Sequence, residues 1–294
     1  MKEQLSDLAG ERSGLMALAY RMLGTVADAE DAVQETYMRW YRMSEAERET
    51  IDNPAAWLTR VASRVCLDVL GSARVRREHY VGEWLPEPVP ATSPMAAAVP
   101  PDPLDRVTLD DSVSTALLVV LEALTPAQRV VFVLHDVFGM PFDEVADAVG
   151  RTPAACRQLA VAARARVRAG REGRASRAAH DELVTAFAHA CATGDLAALT
   201  AVLAPDVVLR SDGGGKVSAA RRPVRGADDV ARFLLGLIRM RPSATLSPVQ
   251  TADGLGFVIH DAGAVEGVVT LGVGGDAVTD VWIMRNPDKL TAWE

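Results

Sequence analysis

Residues 20–35 read Tyr-Arg-Met-Leu-Gly-Thr-Val-Ala-Asp-Ala-Glu-Asp-Ala-Val-Gln-Glu, and their punctuation organises the first half of the chain. Just upstream, Leu15, Leu18, Ala19 and Met22 repeat at i, i+3, i+4 and i+7, a helical apolar stripe that Gly24 ends. Downstream, a helix over about 28–43 places Ala29, Val33, Tyr37 and Trp40 on one side. Asp28, Asp31 and Glu35 fall within an arc of about 60° on the other side. Those acids complement a helix N-terminus, worth ~0.3–1 kcal/mol per charge, and Glu35 with Arg39 makes an ordinary i, i+4 pair. They equally suit a docking surface, but exposed carboxylates with nothing to shift their pKa are poor catalysts.

Further along, Asn53-Pro54 is an N-cap followed by proline at the first helical position. The helix it opens is expected to bury Leu58, Val61, Val65 and Val69 and to turn Arg60 and Arg64 outward. Residues 81–105 contain Pro86, Pro88, Pro90, Pro94, Pro100, Pro101 and Pro103, which rules out a long helix. Helical texture resumes with the stripe Leu117, Val120, Leu121 and Leu124. Thr125-Pro126 starts the next helix, and Phe138-Gly139 ends it. A short helix with Val145, Ala146 and Val149 closes at Gly150, and Thr152-Pro153 opens a last one reaching about Ala169. Two helices around a tight glycine turn form the helix-turn-helix pattern. On its last helix Arg157, Arg164, Arg168 and Arg171 share a face of about 60°, suited either to a DNA groove or to solvent.

At 294 residues the chain has room for two or three domains. Its net charge of −8 is sorted: residues 28–35 hold four acids and no base, whereas 151–177 hold eight arginines and one acid. Phosphate affinity follows the local field, so the acidic total does not exclude nucleic acid. Cys66, Cys156 and Cys191 are scattered and odd in number, which argues against a disulfide framework and a cysteine-based zinc site. No metal or cofactor is expected. The start is polar and acidic and no apolar run nears ~18 residues, so a cytoplasmic protein with no membrane partner is expected.

From about residue 178 the texture becomes α+β. Helices are expected at 181–192, 196–203 and 228–240, and a strand at 207–210. Val265, Val268, Val269, Leu271, Val273, Val278, Val281 and Ile283 then supply strand character through Met284, which suits a curved sheet wrapped round helices. Among the polar residues of this part, His189, Asp212, His260 and Asp261 show no spacing that forms an acid–base pair, so no catalytic residue is assigned and no enzyme is expected.

The stretch 20–35, then Asn53-Pro54-Ala55-Ala56-Trp57-Leu58, resembles region 2 of extracytoplasmic-function sigma factors. Leu124-Thr125-Pro126-Ala127-Gln128-Arg129 and Phe142-Asp143-Glu144-Val145-Ala146 resemble region 4. The linker run Tyr80-Val81-Gly82-Glu83-Trp84-Leu85-Pro86-Glu87-Pro88 is similar to that of the group with a C-terminal SnoaL-like domain, which usually has proline in place of Glu83. Asp212-Gly213-Gly214-Gly215-Lys216 and Asn286-Pro287-Asp288-Lys289-Leu290 resemble the two tail signatures of that group.

The resemblance implies a multidomain chain: an all-α region 2 domain (1–78), a Pro-rich linker (79–106), an all-α region 4 helix-turn-helix domain (107–172) and an α+β SnoaL-like cone (178–294). It implies core RNA polymerase (the β′ clamp and β flap) and promoter DNA as partners. Asp28, Asp31, Gln34 and Glu35 would dock on polymerase. Arg60, Arg64, Arg74, Arg76 and Arg77 would face the −10 element, with Arg64 near a flipped base. Arg151, Thr152, Ala154, Arg157, Gln158, Arg164 and Arg168 would face the −35 element. The family often has a basic residue where this chain has Val161-Ala162, which weakens the expected phosphate grip there.

Tyr80, Trp84, Leu85 and Pro86 with both tail signatures would form an interdomain regulatory contact acting in cis, Trp84 as an apolar anchor. Cones of this kind enclose an apolar pocket, so a small-molecule ligand stays an open candidate. The competing reading is a stand-alone helix-turn-helix regulator that senses a small molecule through its cone.

Overall fold

The computed structural model describes residues 2–78, 80–96, 114–169 and 175–293, with the side chains of 2–9 and 73–78 left out. The chain forms two compact units. One combines Met1–Glu78 with Ser93–Gly170, and the other combines His79–Thr92 with Arg171–Glu294. Among the described residues no helix is long and apolar enough to cross a membrane.

The first unit is helical. Helix α1 spans Lys2–Leu23 and α2 Val26–Arg42. The start of α2 lies earlier than the expected residue 28, because Thr25 takes an extended conformation (φ −132°) and its side chain accepts the Asp28 N–H. The short α3 (Glu45–Glu49) begins with a Ser44–Glu47 capping box, and α4 covers Pro54–Glu78. As expected, Asn53 caps α4, accepting the Ala56 N–H at 3.0 Å. The buried stripe of α4 is rotated by one position from the expected one. Leu58, Ala62, Val65, Cys66 and Leu70 are buried while Val61 and Val69 are half-buried, because α1 and α2 both pack on this helix and small residues let them approach.

Among the described residues, four further elements belong to this unit. These are α5 (Thr115–Glu122), α6 (Pro126–Phe132) running into a π-helical turn (Val133–Val137), α7 (Phe142–Val149) and α8 (Pro153–Ala169). Thr125 and Gln128 form a capping box on α6. Gly150 ends α7 at φ +67°, the left-handed conformation that glycine tolerates without penalty. Cys156, Ala160, Ala163 and Val167 are buried under α8, and Leu159 is half-buried.

The second unit holds α9 (Arg177–Thr193), α10 (Leu196–Val202) and α11 (Ala227–Met240) against one six-stranded sheet. Its strands are β1 (Leu203–Asp212), β2 (Val224–Arg225), β3 (Thr245–Thr251), β4 (Gly254–Asp261), β5 (Ala264–Gly274) and β6 (Ala277–Met284). They lie in the order β2-β1-β6-β5-β4-β3, with β1 and β6 parallel and every other neighbour antiparallel. Val184, Phe187, Leu199, Leu209, Val230 and Leu234 meet Phe257, Leu271, Val281 and Ile283 in one core between helices and sheet. The opposite face is also covered: Val258, Val268, Thr270, Trp282 and Met284 alternate with that core set and are buried too.

Candidate functional site: two helical surfaces and a buried latch

Residues 80–91 of the linker run as an extended strap over the second unit. Leu85–Val89 are buried, Pro90 bridges to Thr251 of β3, the Ala91 N–H donates to the Gln250 carbonyl and the Ala252 N–H donates to the Val89 carbonyl. At its far end the Trp293 indole N–H donates to the Pro88 carbonyl at 2.9 Å. The register of β3 thus extends onto the linker, which carries the two lone backbone bonds an edge strand offers there.

The strap is fastened by one carboxylate. Asp212, at the end of β1, is fully buried. It accepts from the Tyr80 hydroxyl (2.6 Å), the Leu85 N–H (3.0 Å), the Gly214 N–H (2.9 Å) and the Lys289 ammonium (2.8 Å). Lys289 also donates to the Leu85 carbonyl at 2.6 Å, and its Nζ sits 4.2 Å from the centre of the Trp84 ring. The Trp84 ring thus lies over the buried ammonium. A buried ion pair tolerates desolvation only when its remaining lone pairs and protons are satisfied, and here they are.

The two glycine-rich and Asn-Pro signatures meet at this point. Asn286 caps the 3₁₀ turn Pro287–Lys289 by accepting the Asp288 N–H, and its amide donates to the Tyr80 hydroxyl at 3.0 Å. A Cβ on Gly214 (φ +63°) would stand 2.5 Å from Asn286 Cγ, so space and backbone both demand glycine. Burial first, then the bond to Asp212, push the Tyr80 phenol well above the ordinary tyrosine range. Pro86 and Leu290 are buried here as well, and Lys216 pairs with Asp288 at the surface.

The catalytic candidates of the cone wall do not converge. Asp212 is engaged in the latch, His189 is exposed, Asp261 accepts from the Ser243 hydroxyl, and His260 Nδ1 lies 3.4 Å from the Ser247 hydroxyl. Where the apolar pocket was expected, Phe187, Leu199, Leu209, Val230 and Leu234 pack with Phe257, Leu271, Val281 and Ile283 in one apolar core. A cleft of about 280 Å³ lies elsewhere, between Val81-Gly82 of the strap and the 213–221 loop. Among the described residues no group of three or more His, Cys, Asp or Glu side chains could hold a metal ion.

In the helical unit Asp31 and Gln34 are exposed and Asp28 and Glu35 half-buried on one side of α2. Asp28 accepts from the Thr25 hydroxyl, and Glu35 pairs with Arg39 at 2.8 Å. Arg151, Thr152, Ala154, Arg157, Gln158, Arg164 and Arg168 are all exposed along α8 and its leading turn. Arg157 lies over the Phe142 ring, and Arg164 is held by Asp136. Val161 stands 64% exposed among them. Arg60 and Arg64 are exposed on α4, whereas the side chains of Arg74, Arg76 and Arg77, and Arg171, lie outside the described residues.

The chain matches three families in order: Sigma-70 region 2 over residues 11–76, Sigma-70 region 4 over 114–167 and a SnoaL-like domain over 184–290. It is 41% identical to the ECF RNA polymerase sigma factor SigJ of Mycobacterium tuberculosis, over 98% of this chain and 93% of that one. The chain belongs to the ECF RNA polymerase sigma factors. The probable ECF RNA polymerase sigma factor SigI of the same organism is 38% identical over 95% of this sigma factor and 92% of its own length. The crystal structure of SigJ superposes with a TM-score of 0.77, covering 98% of both chains at 38% identity. The stand-alone regulator is thereby not favoured, and as a sigma factor the protein acts with core RNA polymerase and promoter DNA.

Sequence reasoning missed three buried side chains. Arg129 is 3% exposed, donates to the carbonyls of Met22 and Leu121 and pairs with Glu122; burial lowers its pKa to about 9. Arg21 donates to the Ala17 and Met95 carbonyls and lies 5.8 Å from the centre of the Phe138 ring. His180 bridges the Leu271 carbonyl and Asp181. The arginines follow apolar or helix-forming residues in sequence and carry no local signal of burial.

Proposed function

We propose that this sigma factor directs core polymerase to promoters by a division of labour, and that its C-terminal domain controls it in cis through the strap. Asp28, Asp31, Gln34 and Glu35 dock on the β′ clamp, and region 4 reaches the β flap. Arg60 and Arg64, with Arg74, Arg76 and Arg77, serve the −10 element. The exposed set from Arg151 to Arg168 serves the −35 element, arginines holding phosphates and Thr152 and Gln158 reading base edges. The protein works in the cytoplasm, where its polymerase is.

One observation carries the regulatory part: the linker that joins regions 2 and 4 in sequence is fastened by the Asp212–Lys289 pair to the SnoaL-like domain. A linker fixed over about ten residues has less reach than a free one, which limits how far regions 2 and 4 spread along a promoter. The continuous apolar core between helices and sheet suits a scaffold role for this domain, holding the strap.

The test is run-off transcription with purified core enzyme on a promoter library, using the full chain and a chain lacking residues 178–294. Altered output or promoter choice supports control in cis, and identical output from both chains would overturn it. No initiation by either would overturn the promoter assignment.

A further inference from the structure

Regions 2 and 4 lie in one compact unit, and the groups that cross between them share one geometry. The last carbonyls of an α-helix have no partner within the helix and form its negative end. Arg64, on α4 of region 2, donates Nη2 to the Asp147 carbonyl at 2.7 Å and Nε to the Ala148 carbonyl at 3.4 Å, both in the last turn of α7 in region 4. Arg129, on α6 of region 4, donates Nη1 to the Met22 carbonyl at 2.9 Å, in the last turn of α1 in region 2. Each region therefore supplies a cation that caps a helix C-terminus of the other. Arg21 adds a third crossing, from α1 to the Phe138 ring.

We propose that this reciprocal arginine capping is an autoinhibitory closure, in which Arg64 exchanges between the carbonyls of α7 and the −10 DNA strand. It is distinct from the strap, and rests on the reading of Arg64 as a −10 contact. Arg64 turns the Nε–Nη2 edge of its guanidinium to α7, so a nucleotide gripped by that same edge has to displace the Asp147 and Ala148 carbonyls. The capped turn also lies only three residues before Arg151, the start of the proposed −35 surface, so the closed unit sets the two DNA surfaces against each other. Carbonyl acceptors make the exchange feasible: water replaces Arg64 on the exposed α7 end when the unit opens, leaving no buried carboxylate without its partner. Arg129 is the deeper clasp and releases the Met22 carbonyl last, because its guanidinium is buried.

Pulsed electron spin resonance on the full chain tests this, with spin labels on Glu45→Cys and Val161→Cys, both exposed, while the native cysteines are buried. The parent should give one short distance. Arg129→Met and Arg64→Gln should each raise the long-distance population about three- to tenfold, the worth of roughly one net hydrogen bond. Binding of a random single-stranded DNA pool should rise by a similar factor in Arg129→Met, which frees Arg64, and fall in Arg64→Gln. Arg64→Gln changes an exposed side chain, so it tests closure even if Arg129→Met fails to fold. Unchanged distances in Arg64→Gln overturn the capping. Opening in Arg129→Met without tighter strand binding overturns the exchange. Neither measurement involves polymerase, so each is independent of the transcription test above.

Discussion

Lys289 and Arg129 are both buried cations, one in each unit, and they are neutralised differently. Lys289 faces a fully buried carboxylate that accepts four hydrogen bonds, with aromatic rings over the ammonium. Arg129 meets two backbone carbonyls and a partly exposed Glu122. Separating an ion pair inside a protein strands two charges, whereas uncapping a helix end returns a carbonyl to water. The latch of the second unit is thus built to hold, and the capping of the first to let go.

The strongest challenge to that contrast is Asp212→Ala, which leaves the Lys289 ammonium buried without its carboxylate. It should remove about 3–5 kcal/mol from the C-terminal unit, read by urea unfolding, with the helical unit's transition in place. A loss under ~1 kcal/mol would mean that water already serves Lys289, and the contrast would vanish. Tyr80→Phe is a milder cut, removing the hydroxyl that bonds Asp212 and Asn286, and should cost about 1–2 kcal/mol at neutral pH. Its pH dependence has a definite sign. The Tyr80 pKa is raised in the folded chain, so its contribution is complete below the unfolded value of ~10 and is lost as pH climbs through the folded value. The parent should therefore lose stability on the alkaline side more steeply than Tyr80→Phe. Lys216→Ala gives the smallest effect: its pair with Asp288 is more than half exposed, and stability should move by no more than ~0.5 kcal/mol. A larger change would place that surface pair within the latch.

The helical half of the site was more legible than the latch. Thr125, Asn53 and Thr152 announce their helices because each cap bonds a backbone N–H three residues on, a relation that a sequence displays directly. The exposed row on α8 follows from helical spacing alone. For the latch, motif resemblance singled out Tyr80, Trp84, Asp212, Asn286 and Lys289, but gave no pairing among them. The misplaced stripe of α4 has the same origin, since helical period leaves two adjacent faces open and the neighbours α1 and α2 choose between them.

By itself the sequence determined where helices start and stop, which face of α8 is basic, and the order of three family segments, because caps and amphipathic periods act within about one helical turn. The tertiary structure alone decided that Asp212 meets Lys289 across 77 residues and Tyr80 meets Asn286 across 206, and that Arg64 ends on α7. Such pairings depend on sheet register and helix packing, which bring distant groups out of water together, and no local pattern encodes them.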